Sequence, residues 1–102
     1  MSGLTLEQIF EIQKRFSDRF FNNEEICSKE KEDLTKTFCL SLHAEVSQLI
    51  KAVDYKQHLS SDQVPDRGRI LFESVDCVRY ILAILNLWNL SPDEFISAFH
   101  CK

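Results

Sequence analysis

The 102-residue sequence predicts an all-α domain, and three observations carry that expectation. Apolar residues recur at intervals of three and four over most of the chain, which is the repeat of one helical face. Only two Gly and two Pro occur, too few turn formers for a many-stranded sheet. Thr5-Leu6-Glu7-Gln8 and Ser91-Pro92-Asp93-Glu94 each place a hydroxyl three residues before a Gln or Glu. That spacing closes a helix N-terminus reciprocally, side chain to backbone in both directions. The length allows one domain, residues 1–102, with a modest core.

Four helices follow in order. The first is expected over about 5–22, with Leu4 ahead of the Thr5 cap and Leu6, Ile9, Phe10, Ile12, Phe16, Phe20 and Phe21 at helical spacing. Asn22-Asn23 supplies a stop, because Asn tolerates the left-handed conformation beyond a helix end. The charged stretch NEEICSKEKE leads into a second helix over about 29–58, whose apolar set runs from Leu34 and Phe38 through Leu42, Val46, Leu49 and Ile50 to Val53. Residues 59–69, LSSDQVPDRGR, form the one long loop, with Pro65 just ahead of the first turn of a third helix over about 66–88. Asn89 ends that helix. The fourth spans about 92–101, with Ser91 as cap, Pro92 at the first helical position and Phe95, Ile96 and Phe99 as its expected buried face.

Composition excludes several classes of function. Hydrophobic residues make up 44% of the chain, enough to fold. The formal net charge of −4 has the wrong sign for a protein whose partner is a nucleic-acid backbone. No uncharged run reaches the length of a membrane span, and the N-terminus has no basic stretch followed by an apolar one. A soluble, cytoplasmic protein is the expectation. Cys27, Cys39, Cys77 and Cys101 show no C-x-x-C spacing and are expected as buried free thiols. With three scattered histidines, they do not suggest a structural zinc site.

The segment Ile70–Trp88, ILFESVDCVRYILAILNLW, is apolar on nearly every face, yet it contains Glu73 and Asp76. Residues three apart share a helical face, so the two carboxylates form a narrow acidic seam that Arg69, Arg79 and Asn86 extend. The second helix has a matching strip of Ser41, Glu45, Gln48 and Ala52. Axes of packed helices lie about 8–10 Å apart, so facing carboxylates can share one ion. Glu45, Glu73 and Asp76 with the Gln48 amide oxygen form a hard oxygen donor set, suited to Mg2+ or Mn2+ and not to zinc. The competing explanation is a solvated seam, with Arg69 and Arg79 paired to the carboxylates one turn away. A third helix this apolar also exceeds what one small layer covers, and the chain is expected to form a homodimer or homotetramer through apolar helix faces.

The pattern of Glu45 and Gln48 on one helix, a loop, then Glu73-x-x-Asp76 on the next resembles the all-α nucleoside triphosphate pyrophosphohydrolases. This superfamily includes the MazG-type enzymes and the dimeric dUTPases and dCTPases. The matching stretches are LHAEVSQLIKAVDYK (42–56), ILFESVDCVRYILAI (70–84) and SPDEFISAFHCK (91–102), about two-thirds of the chain. Tyr55-Lys56 and the C-terminal FISAFHCK look closer to the dUTPase/dCTPase-like branch. The resemblance implies a four-helix bundle-like fold and Mg2+-dependent hydrolysis of a nucleoside triphosphate, a pyrimidine deoxynucleotide by preference, to the monophosphate and pyrophosphate. It further implies metal binding and catalysis by Glu45, Glu73 and Asp76, and substrate contacts from Lys56, Arg79 and Asn86. Two departures stand out. Position 48 is Gln where the family usually has a second Glu, and the sequence ends at Lys102 where the dUTPase-like branch continues with polar and basic residues. The first of these gives weight to a second function, a helical nucleotide-binding or protein-interaction module of the same fold with weakened or lost turnover.

Overall fold

A computed structural model describes residues 3–18, 26–54 and 66–102. It contains four helices: α1 (Leu6–Ser17), α2 (Ser28–Asp54), α3 (Arg67–Leu87) and α4 (Pro92–Cys101). No strand occurs among the described residues, and none of their helices is long and apolar enough to cross a membrane.

Local chemistry sets most of the boundaries. The Thr5 backbone N–H donates to Gln8 Oε1 at 2.8 Å, and the Gln8 N–H donates to Thr5 Oγ1 at 3.1 Å. Ser91 and Glu94 form the same reciprocal cap on α4, at 2.7 and 3.1 Å. Asp66 caps α3, accepting from the Arg69 N–H at 3.1 Å. The C-terminus of α3 closes through two backbone bonds, Asn89 N–H to the Asn86 carbonyl and Leu90 N–H to that of Leu85. This pairing places Asn89 at a φ of 56°, the left-handed turn that Asn accepts more readily than most residues. The described part of α1 runs to Ser17 with Asp18 as its C-cap, and the expected continuation over 19–22 lies outside the described residues. The expected end of α2 at 58, the Asn22-Asn23 stop and most of the 59–69 loop lie outside the described residues.

The helices α2 and α3 form the central pair. Thr35 meets Trp88, Phe38 meets Tyr80 and Glu45 meets Glu73 and Asp76, so the two run antiparallel. Their contact surface includes Ala52, which has no exposed surface at all. The strip of small and polar residues on α2 therefore packs inward. Against one side of this layer lies α1, also antiparallel to α3. Phe10 sits beside Asn86, and Phe16 beside Arg79.

Burial is sparse. Among the described residues, Phe10, Ala52, Leu82, Ala83 and Leu87 are the buried apolar ones, and of these Leu87 is the large side chain sealed from solvent. Two expectations fail here. No residue of α4 is buried: Phe95 rests on Phe10 with ring centroids 6.2 Å apart, but Phe99 is 75% exposed. A ten-residue helix touching only α1 has too little neighbouring surface to cover its apolar side. The cysteines are free, as expected, but Cys27, Cys39 and Cys101 are exposed and only Cys77 is half-buried.

Candidate functional site

Glu45 stands midway along α2, and Glu73 and Asp76 occupy the second and third turns of α3. Because the helices are antiparallel and closely packed, one oxygen from each carboxylate lies within 4.8 Å of the other two. Glu45 and Glu73 are half-buried. The ion pairs found among the described residues, Arg15–Glu11 and Lys29–Asp33, involve none of the three. In particular, Arg79 does not bridge to Asp76; its guanidinium lies 6.0 Å from the Phe16 ring centroid.

Crowding of like charge has an electrostatic consequence. The Glu45 carboxyl is held above its ordinary value, first by burial, then by the charges of Asp76 and Glu73 and a hydrogen bond with Glu73. Burial also pushes the Cys77 thiol up, and the charges of Glu45, Asp76 and Glu73 add to it. Cys77 therefore keeps its proton beside the cluster and adds no thiolate to the donor set. Ligand oxygens on opposite sides of a Mg2+ stand about 4.2 Å apart, and those around Ca2+ about 5 Å. The spacing of the three carboxylates is of the order that oxygen ligands around one hard divalent cation require.

The cluster opens onto a cavity of about 500 Å3 enclosed by α1, α2 and α3. Glu45 and Asp76 lie on its lining, as do Arg79, Ser41 and the rings of Phe16, Phe38 and Tyr80. Two further lining residues, Gln13 and Ser17, are polar and each only 5% exposed. Among the described residues, the Gln13 side chain makes one hydrogen bond, from Nε2 to Ser17 Oγ at 3.4 Å.

The structure brings together Glu45, Glu73, Asp76 and Arg79. Gln48 is half-buried on α2, one turn beyond Glu45, and does not line the cavity. Asn86 is elsewhere: its Nδ2 donates to the Phe10 carbonyl at 3.4 Å, and it borders a separate hollow with Glu7, Lys14 and Asp93. Lys56 lies outside the described residues. Gln13 and Ser17 escaped the sequence reading, although they continue the inward stripe of Phe10 at i+3 and i+7. A polar residue on an otherwise apolar stripe was the available signal. The aromatic wall was also missed, because helically spaced Phe residues read as packing. Comparisons with protein-family models, with curated proteins and with solved structures gave no match.

Proposed function

We propose that this chain is a nucleoside triphosphate pyrophosphohydrolase of the all-α, MazG-like and dUTPase-like kind, dependent on Mg2+ with Mn2+ as a substitute. Its preferred substrate is a pyrimidine deoxynucleoside triphosphate. The observation that carries this reading is the convergence of Glu45, Glu73 and Asp76, from two helices, at the edge of a cavity large enough for a nucleoside. Glu45 and Glu73 are half-buried, and a cation between the three carboxylates would relieve the repulsion that raises the Glu45 carboxyl.

In this reading the three carboxylates hold the ion. When bound, it neutralises charge on the phosphate oxygens. Arg79 lines the same cavity and meets a phosphate, while the rings of Phe16, Phe38 and Tyr80 flank the base. Glu45, with its raised proton affinity, accepts the proton of the attacking water at a carboxylate oxygen. The water oxygen bonds to the α-phosphorus, the bond from that phosphorus to the α–β bridging oxygen breaks, and pyrophosphate leaves. The four free cysteines suit a reducing, cytoplasmic compartment.

The direct test is to incubate the protein with each nucleoside and deoxynucleoside triphosphate plus Mg2+ or Mn2+ and measure pyrophosphate. Release is expected, and Glu73→Gln should reduce it by at least about a hundredfold through loss of a metal ligand. Absence of pyrophosphate with every nucleotide would overturn the enzyme. Activity unchanged in Glu73→Gln would instead remove the carboxylate cluster from the site.

A further inference from the structure

Arg79 follows Asp76 by three positions on α3, the spacing at which an arginine and a carboxylate on one helix ordinarily pair. Here they do not. The Arg79 guanidinium lies 6.0 Å from the ring centroid of Phe16, near the end of α1, and Arg79 belongs to none of the ion pairs found among the described residues. Phe16 and Arg79 border the same cavity as Glu45 and Asp76. Arg79 also borders an apolar hollow between α1 and α3, with Ile9, Ile12, Val78 and Leu82. Its side chain thus has apolar surface beside it, as the stem of a long cationic residue commonly does. The preference for the ring has a physical cause. A solvated pair one turn apart gains little in water, whereas a guanidinium is weakly hydrated and is drawn to the negative face of an aromatic ring.

We propose that Phe16 is a positioning residue: by holding the Arg79 guanidinium against α1, it keeps that charge off Asp76. The three carboxylates then stay available to a divalent cation, and the arginine to an anionic phosphate. This inference rests on the reading of Glu45, Glu73 and Asp76 as a cation site. A bridge from Arg79 to Asp76 would set a fixed positive charge at the cluster, compete for a ligand oxygen and lower its affinity for a cation. It would also occupy the N–H donors through which an arginine grips a phosphate. In this arrangement α1 supplies no carboxylate to the cluster, yet one of its rings decides which charge the cluster faces.

Two measurements without nucleotide test the arrangement. In nuclear magnetic resonance spectra, the Arg79 side-chain protons should be shifted by the Phe16 ring current in the wild type and in Phe16→Tyr, and should lose that shift in Phe16→Leu. In calorimetric titrations with Mn2+ alone, Phe16→Leu should weaken binding about three- to fivefold, and Phe16→Tyr should keep the wild-type affinity. The double variant Phe16→Leu/Arg79→Gln should recover it, because the arginine that would settle on Asp76 is gone. General damage to α1 in Phe16→Leu would not be repaired by a second substitution on α3. Arg79 protons with no ring-current shift in the wild type would overturn the proposal. So would Mn2+ affinity unchanged in Phe16→Leu, or a loss that the double variant retains, and either result would leave the cation site standing. A wild type that binds no Mn2+ would overturn the cation site itself, and the role of Phe16 with it.

Discussion

Glu45 is the residue on which the acidic cluster turns. Its carboxyl is raised by burial and by its two acidic neighbours, so between its ordinary value and the raised one the folded chain binds more protons than the unfolded chain. Stability of the metal-free protein must therefore fall as pH rises through that window. A divalent cation binds the ionised form, so its stabilising effect must grow over the same window. Melting curves with and without Mg2+ from about pH 5 to pH 8 should show the two traces separating as pH rises, and Glu45→Gln should abolish the separation. A Mg2+ response that is flat with pH, or that persists in Glu45→Gln, would mean the ion binds elsewhere. The members of this cluster were legible in the sequence because Glu45, Glu73 and Asp76 each interrupt an apolar helical face. Gln13 interrupts one too, but a single amide carries no charge whose burial demands explanation. Asn86 shares a stripe with Arg79, and two turns along α3 that stripe meets the α1 backbone, where the Asn86 Nδ2 donates to the Phe10 carbonyl.

At the scale of elements, caps and packing have different weights in different helices. Asp66 caps α3, which lies between α1 and α2, whereas Ser91 caps α4, which touches α1 alone and buries no residue. Removing either cap costs about 1 kcal/mol of helix stability. In Asp66→Ala that cost falls on the cooperative core and should lower the melting temperature by roughly 4–8 °C. In Ser91→Ala it falls on a helix able to detach by itself, so hydrogen exchange in α4 should accelerate about fivefold with little change in melting temperature. Equal melting shifts in the two variants would show α4 to be part of the cooperative unit. The starts of α1 and α4 were legible because capping boxes are local chemistry. The exposure of α4 was not, since period alone shows that a helix has an apolar face and not whether another element lies close enough to cover it.

The described part of the molecule has few buried apolar residues, and among them Leu87 is the large side chain fully enclosed. Burial of apolar surface is the main term opposing chain entropy, so any partner that covered the exposed apolar residues of α2 and α3 would add to the stability of the fold. If a second copy does so, assembly and folding are one equilibrium, and the unfolding midpoint must depend on protein concentration. Each tenfold increase in concentration adds about 1.4 kcal/mol per dimer, which should raise the melting temperature by roughly 3–5 °C. Ile50→Lys and Ile81→Lys should melt lower and at a midpoint independent of concentration. A wild-type midpoint that stays fixed over a hundredfold range would show that the three packed helices suffice without a partner. The stability of this chain would then have to come from the α1–α3 and α2–α3 contacts alone, and the apolar face would need a different explanation.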